Sequence, residues 1–320
     1  MKKVAITDYA FDELDVEKGI LEPQGFAVVG QKSGKDPAAL AALVKDADAV
    51  ITQFAPVNAA IVGAMEKAKV IVRYGIGVDN VDLNAAAAKN IPVCNIPDYC
   101  IDEVADHTLA LMLAATRQIV PCDSTIKSGQ WKLPVPISAL RALKYMTVGL
   151  VAFGRIGREV AARLKPFKCR ILVFDPGVPS AAVKAAGCEP AAWDDVLAQS
   201  DLLSLHCPST EQTKAMINAT SIAKMKKGAI LVNASRGTLV DTPALVAALE
   251  SGQLSAAALD VTDPEPPGAD HPLLKLTNVV ITPHDASATP QAVRTLRTAA
   301  ANLAAMALRG EKLPNVVNGV

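Results

Sequence analysis

A cation, two candidate acids and a carboxylate, each placed after an apolar run, point to proton and charge management at a carbonyl. Arg236, in Asn233-Ala234-Ser235-Arg236-Gly237, follows the apolar run Ala229 to Val232. A planar guanidinium there can hold a carboxylate through two hydrogen bonds and polarise a neighbouring carbonyl. An acid must then protonate the alkoxide that develops. The sequence offers four histidines, His107, His206, His271 and His284. His107 falls mid-helix and His271 precedes a proline in a polar loop, whereas His206 ends the run Leu202 to Leu205 and His284 follows Val279 to Ile281. Spacing alone does not choose between His206 and His284. Glu265, in Asp263-Pro264-Glu265-Pro266, is a candidate partner that would favour the charged ring and hold its tautomer. The bland alternative is a solvated loop carboxylate.

The second chemical feature is a phosphate cradle. The strand-like run Thr147 to Val151 leads into Ala152-Phe153-Gly154-Arg155-Ile156-Gly157 and a helix predicted from Arg158 to Phe167. Gly154 lets the backbone approach a pyrophosphate, Gly157 lets the helix pack close to the strand, and the unpaired N-terminal amides attract the anion. A second strand, Arg170 to Phe174, ends in Asp175, 21 residues beyond Gly154. A carboxylate at that spacing accepts hydrogen bonds from ribose hydroxyls and repels a ribose phosphate, so the reading is NAD rather than NADP. Ala152 stands at the first position of the G-x-G-x-x-G pattern. It is tolerable there only with a negative φ, because a Cβ penalises the left-handed region.

These groups need a scaffold of alternating strands and helices, and the sequence alternates that way almost throughout. The first series predicts strands near residues 4–7, 49–54, 70–74 and 91–94, with helices over 37–46, capped by Asp36, and 58–67. The second predicts strands near 148–151, 171–174, 202–205, 229–232, 256–259 and 279–281. The joint falls near Pro97-Asp98-Tyr99, before a long helix from Ile101 to about Arg117. A last helix, capped by Thr289 and running from Pro290 to about Leu308, has no sheet left to cover in its own domain and is expected to cross back to the first. The apolar face Leu109, Leu111, Met112 and Leu113 exceeds what one sheet needs and predicts a homodimer.

Composition narrows the class. A chain of 320 residues with 51% hydrophobic content can build about two cores. Its 32 basic and 32 acidic residues cancel, with no basic tract for nucleic acid or an anionic membrane. Six cysteines without a C-x-x-C pair fit a reducing compartment, and no metal site is expected. Met1-Lys2-Lys3 opens like a signal peptide, but Asp8, Asp12, Glu13 and Asp15 interrupt any following apolar run. No segment approaches the ~20 apolar residues of a membrane span. The expected setting is the cytoplasm.

Taken together, Gly149 to Gly157, Val232-Asn233-Ala234-Ser235-Arg236-Gly237-Thr238-Leu239-Val240-Asp241, Ala258-Leu259-Asp260-Val261 with Glu265-Pro266, and Thr282-Pro283-His284 resemble the D-isomer-specific 2-hydroxyacid dehydrogenases. Arg73-Tyr74-Gly75-Ile76-Gly77-Val78-Asp79-Asn80-Val81-Asp82 looks like that family's substrate-domain loop. The resemblance runs from about Ile51 to about Leu308. It implies an α/β fold: a doubly wound parallel-sheet (Rossmann) cofactor domain over residues 99–285, and a smaller flavodoxin-like substrate domain, discontinuous in sequence, over 1–98 and 286–320.

By the same resemblance Arg236 orients a 2-oxo acid, His284 is the proton donor in reduction and base in oxidation, and Glu265 pairs with His284. Gly154, Arg155 and Ile156 are implied at the pyrophosphate, Asp175 at the ribose, and His206, Cys207 and Pro208 beside the adenosine. Ala234, Ser235 and Asp260 are implied near the nicotinamide, Asp260 through the carboxamide, and Ile76, Val104 and Thr213 complete the cofactor set with Arg236 and His284. Tyr74, Gly75, Ile76 and Gly77 are implied on the substrate side, where Ile76 and Gly77 offer backbone amides to its carboxylate. Tyr74, Tyr99 and Trp131 are candidate specificity determinants.

The implied activity is NAD-dependent reduction of a small 2-oxo acid such as glyoxylate or hydroxypyruvate. Asp285 stands after His284 where an uncharged residue is more usual, and Tyr99-Cys100 opens a segment similar to the C-terminal-binding-protein corepressor subgroup. Two rivals therefore accompany the reading: a 3-phosphoglycerate dehydrogenase without its regulatory domain, for which Arg73 is the one obvious extra cation near the loop, and an NAD-sensing corepressor-like dimer. Formate oxidation is disfavoured by Glu265, where members of the family acting on formate carry an amide.

Overall fold

Two parallel sheets form in the computed structural model, which describes Met1–Val320. The chain divides into one unit of Met1–Tyr99 with Thr289–Val320 and a second of Cys100–Ala288, where the sequence reading puts the joints at 98/99 and 285/286.

The first unit runs β1 (Lys2–Ile6), α1 (Asp15–Leu21), β2 (Phe26–Gly30), α2 (Pro37–Val44), β3 (Ala49–Thr52), α3 (Ala59–Ala64), β4 (Ile71–Arg73), α4 (Leu83–Ala88) and β5 (Val93–Cys94). Its strands lie in the order β2-β1-β3-β4-β5, the flavodoxin-like doubly wound order. Period-two alternation sends Val4 and Ile6 to one core and Ala5 to the other, which is why these strands read as continuous apolar runs. Asp36 caps α2 by accepting from the Ala38 amide, with Pro37 at the first helical position. Two elements escaped the sequence reading, β2 and α1. Strand β2 lies on the sheet edge and is half covered. Helix α1 carries Gly19 and a charge pattern typical of a solvated face, yet Glu17 is fully buried, held by Arg297 at 2.7 and 2.9 Å and by the Tyr74 hydroxyl at 2.8 Å.

The second unit contains α5 (Ile101–Thr116), α6 (Ile119–Lys127), β6 (Thr147–Val151), α7 (Arg155–Leu164), β7 (Arg170–Phe174), α8 (Ser180–Ala185), β8 (Glu189–Pro190), α9 (Trp193–Gln199), β9 (Leu202–Leu205), α10 (Ala219–Lys224), β10 (Ala229–Asn233), α11 (Thr242–Glu250), β11 (Leu254–Leu259) and β12 (Val279–Ile281). The order is β12-β11-β10-β9-β6-β7-β8, seven strands where six were predicted. The extra one, β8, is a two-residue edge strand that ends in proline and has no apolar run to announce it. Strand order reverses between β6 and β9, the kind of crevice at which open α/β sheets bind ligands. Helix α12 (Pro290–Arg309), capped by Thr289, returns the chain to the first unit and packs on α1, β3 and β4.

The apolar surplus expected on α5 is absent. Leu111 and Met112 are buried, and Leu109 and Leu113 pack on the same core, because α5 is pressed against both α7 and the β10–β11 face. Exposed apolar side chains lie instead on α6 and the segment after it, at Ile119, Ile126, Trp131, Ile137 and Tyr145. No helix is long and apolar enough to cross a membrane.

Candidate active site

Three neighbouring strands, β10, β11 and β12, end in the loops that carry Arg236, Glu265 and His284. Their ends stay in step because the Asp260 amide donates to the Asn233 carbonyl and the Thr282 amide to that of Leu259, both at 2.9 Å. The first loop closes on Asn233, whose buried amide accepts from the Ser235 amide at 3.0 Å and donates to the Arg236 carbonyl at 2.8 Å. Ser235 Oγ donates to the Cys207 carbonyl at 2.6 Å, and Arg236 Nη1 to the Ser235 carbonyl at 2.7 Å. Gly237 is required by close approach, since a Cβ there would stand 1.9 Å from the Thr262 carbonyl oxygen of the second loop. The Arg236 and Glu265 loops are thus locked together by backbone contact.

His284 Nδ1 meets Glu265 Oε1 at 2.5 Å, with both side chains about one-third exposed. Burial pushes the Glu265 carboxyl up, but the His284 hydrogen bond and charge, the Thr262 backbone and the Arg236 charge outweigh it and hold the group below its ordinary 4.5. An ionised Glu265 fixes the hydrogen on Nδ1 and leaves Nε2 for proton exchange. His284 has a φ of +55°, a left-handed conformation that costs a non-glycine residue about 1 kcal/mol or more. The strain is sustained by Asp260, whose buried carboxylate accepts from Thr282 Oγ1 at 2.6 Å and from the Asp285 and Ala286 amides at 3.0 Å each, while its carbonyl accepts from the His284 amide at 2.8 Å. Asp260 is therefore first of all the anchor of the His284 loop. One of the four acceptor positions of its carboxylate is left after these donors.

The phosphate cradle departs from expectation at two points. Helix α7 begins at Arg155, three residues earlier than predicted, so Gly154 is its N-cap and Arg155 and Ile156 form its first turn. Ala152 takes φ +76°, not the negative value that alanine prefers. The Ala152 amide donates to the Phe174 carbonyl in this left-handed form, and Gly157, lacking a Cβ, leaves room for the Ala152 carbonyl, which a Cβ there would meet at 2.4 Å. Ala152→Gly should therefore raise stability by about 1 kcal/mol, read as the denaturant midpoint, without altering the site. A Cβ on Gly154, by contrast, would meet nothing within 4 Å, and the α7 N-terminus carries no side-chain cap. Open space before uncapped helix amides is what a pyrophosphate requires, so the loop fits the dinucleotide.

The other cofactor candidates gather at the ends of β7 and β9. Asp175 accepts from the Phe153 amide at 2.7 Å and the Gly177 amide at 2.8 Å, and borders a cavity of about 320 Å³ with Val178, Ser180 and Ala191. His206 pairs through Nε2 with Ser204 Oγ at 3.1 Å, and burial pulls its ring down to about 4. Cys207 is buried, Pro208 is exposed, and Thr213 Oγ1 ties down the Pro208 carbonyl at 2.7 Å. Val104 is buried in the first turn of α5, and Ala234 is half-buried against the core beneath β10.

In the first unit two of the substrate-side residues are engaged within the protein. Tyr74 is 1% exposed and its hydroxyl is bonded to Glu17, so its aromatic ring belongs to the core. The Gly75 amide donates to the Arg73 carbonyl and the Gly75 carbonyl accepts from the Ile96 amide, which commits that backbone internally. Ile76 and Gly77 differ: the Ile76 carbonyl is held by Asn95 Nδ2 at 2.7 Å, and the two amides make no hydrogen bond within the protein. Trp131 is 92% exposed on the segment after α6.

The fold and these loops define a dinucleotide-binding α/β protein with an arginine, a histidine and a glutamate on adjacent strand ends. The family model for the D-isomer specific 2-hydroxyacid dehydrogenase NAD-binding domain matches residues 109–286, and the chain belongs to that family. It is 41% identical over 288 residues to D-3-phosphoglycerate dehydrogenase of Mycobacterium leprae, covering 89% of this chain and 54% of that protein. It is likewise 41% identical over 279 residues to glyoxylate reductase of Korarchaeum cryptofilum, covering 86% of this chain and 84% of that one. The chain thus spans about half the length of the phosphoglycerate dehydrogenases it matches. A D-lactate dehydrogenase from Aquifex aeolicus, solved with NAD and lactic acid, superposes with a TM-score of 0.87 at 27% identity over 97% of this chain and 96% of that one.

Sequence reasoning missed Asn233, Thr282 and His107 as parts of the site. Asn233 sits in a quoted motif, and a polar residue at the buried end of an apolar strand was the available signal. Thr282 and His107 gave none, because their partners lie 22 and 175 residues away in the chain and meet them only through the fold.

Proposed function

We propose that this chain catalyses NAD-dependent reduction of a small 2-oxo acid to the 2-hydroxy acid, glyoxylate to glycolate or hydroxypyruvate to D-glycerate. The observation that carries the reading is the 2.5 Å His284–Glu265 pair on a strand end next to that of Arg236. When bound, NADH supplies the hydride. Arg236 binds the substrate carboxylate and polarises the carbonyl. His284 gives its Nε2 proton to the alkoxide oxygen, and Glu265 retains the Nδ1 proton and stabilises the charged ring before transfer. Gly154, Arg155 and Ile156 hold the pyrophosphate, Asp175 the ribose, and His206, Cys207, Pro208 and Thr213 the adenosine side. Val104, Ala234 and Ser235 border the nicotinamide, and the remaining acceptor of Asp260 takes its carboxamide. Steady-state oxidation of NADH with glyoxylate, hydroxypyruvate, pyruvate and 3-phosphohydroxypyruvate tests the reading; absence of turnover with all four sinks it.

Unphosphorylated substrates are favoured because Arg73, the extra cation near the substrate loop, donates to the Tyr74 carbonyl at 2.8 Å. The Tyr99-Cys100 segment supports kinship with the corepressor-like subgroup, and an NAD sensor would bind NADH yet fail the same assay. We also place the protein in the cytoplasm, supported by six cysteines that form no disulfide, and exclude nucleic acid as partner on the balanced charge. A homodimer closing over Trp131, Ile137 and Tyr145 is supported by their exposure of 80% or more; a dimeric mass at micromolar concentration checks it.

Two substitutions probe the assigned roles. Asp175→Ala should raise KM for NADH roughly ten- to a hundredfold and narrow its preference over NADPH, since charge-assisted hydrogen bonds are worth roughly 1.5 to 3 kcal/mol. Unchanged discrimination in the variant would remove Asp175 from the cofactor assignment. Glu265→Gln should keep activity but move the alkaline limb of kcat/KM for reduction to lower pH. The sign follows from the pair: Glu265 is held below its ordinary value by the charged ring, so the carboxylate reciprocally favours that charge, and a neutral amide lets the proton leave earlier.

A further inference from the structure

The His284 loop has a support that the proposed chemistry does not use. His107, on the first half of α5, lies with Nε2 2.9 Å from Thr282 Oγ1, 3.6 Å from Asp260 Oδ1 and 3.9 Å from Asp285 Oδ1. Thr282 has a single hydroxyl hydrogen, and the 2.6 Å contact directs it to Asp260 Oδ1. Asp260 already takes two backbone N–H groups from Asp285 and Ala286, so its carboxylate is the acceptor throughout. The Thr282 oxygen must then accept from His107, which puts a hydrogen on His107 Nε2. The result is a directed chain, His107 Nε2–H to Thr282 Oγ1–H to Asp260, that ends on the group from which the whole loop hangs. A cation bound by His107, Asp260 and Asp285 is a poorer account of the same cluster, because the Thr282 hydroxyl already occupies the hydrogen-bonding position between the first two.

We propose that His107 is a positioning residue for the acid: through Thr282 and Asp260 it fixes the loop that keeps His284 in its left-handed conformation. This rests on the reading of His284 as proton donor. Asp260 holds the two sides of His284 by backbone bonds, to its own amide and to those of the next two residues, so rotation of the Asp260 carboxylate displaces the imidazole with it. His107 opposes that rotation from α5, a helix packed on β10, β11 and β12 together. Misplacing a reacting group by about 1 Å can cost on the order of a hundredfold in rate, so a small slackening of the loop is visible in kcat.

The test compares His107→Leu, His107→Gln, Thr282→Val and the double variant His107→Leu/Thr282→Val. His107→Leu is expected to lower kcat at saturating NADH roughly ten- to a hundredfold. His107→Gln, whose amide can still donate to Thr282, restores most of the loss. Thr282→Val matches His107→Leu, and the double variant is no worse than either, as links of one chain require. Amide hydrogen exchange at Asp285 and Ala286 should accelerate in His107→Leu and recover in His107→Gln. Wild-type kcat in His107→Leu, no rescue by glutamine, additive losses in the double variant, or unchanged exchange would each overturn the proposal. A wild-type protein that reduces no 2-oxo acid defeats the functional reading instead, and the exchange measurement still decides whether His107 holds the loop.

Discussion

Exchange of His284 for alanine is expected to lower kcat for 2-oxo acid reduction by about two orders of magnitude or more while NADH still binds, the usual worth of a positioned general acid. The expectation rests on the protons the two strand-end histidines can offer. His284 has its Nδ1 fixed by Glu265 at 2.5 Å, and Glu265 is held below its ordinary value, so a carboxylate faces the ring. His206 has no such partner: burial pulls its ring down to about 4 and its Nε2 faces the Ser204 hydroxyl, so near pH 7 the ring is neutral and too weak an acid to serve as donor. His206→Ala should accordingly weaken NADH binding and spare kcat at saturating cofactor. The reverse pattern, with reduction intact in His284→Ala and abolished in His206→Ala at unchanged NADH affinity, would falsify the assignment of the acid.

Arg236→Gln is expected to reduce kcat/KM for the 2-oxo acid by roughly two orders of magnitude or more, with NADH affinity close to wild type. Two charge-assisted hydrogen bonds to a carboxylate are lost, each worth roughly 1.5 to 3 kcal/mol. Arg236→Lys should recover only a small part, since an ammonium cannot span both oxygens in one plane. The loss should not be structural: the turn is closed by the Asn233 side chain and by the approach of Gly237 to Thr262, neither of which involves the guanidinium. A variant with ordinary kcat/KM would mean that the substrate carboxylate is held elsewhere.

What the sequence disclosed and what it hid divide along physical lines. Strand ends are legible because a buried parallel strand is an apolar run and whatever polar residue follows it stands at the ligand edge. Arg236, Asp175, His206 and His284 do follow strand ends in the structure, as the glycine turn does. The choice between His206 and His284 was not legible, since it depends on Glu265 folding back across 19 residues. Ala152 was misjudged because backbone conformation was inferred from the residue alone, whereas in the left-handed turn its amide donates to the Phe174 carbonyl and its carbonyl fits beside Gly157. The surroundings of Tyr74 were hidden for the opposite reason: it lies beside a ligand-loop motif, but burial against Glu17 and Arg297, 57 and 223 residues away, claims its hydroxyl. The apolar face of α5 looked superfluous because a helix pressed on both α7 and the sheet needs apolar residues around more of its girth than a single-sided helix does.

The central claim is that this chain transfers hydrogen from NADH to the carbonyl carbon of a 2-oxo acid. Its most direct measurement is product analysis after reaction of hydroxypyruvate with NADH carrying deuterium at both C4 positions of the nicotinamide. D-glycerate bearing one deuterium at C2 is the predicted product, and its yield should collapse in His284→Ala. Formation of the L-isomer, deuterium-free glycerate, or no glycerate at all while NADH binds would contradict the account.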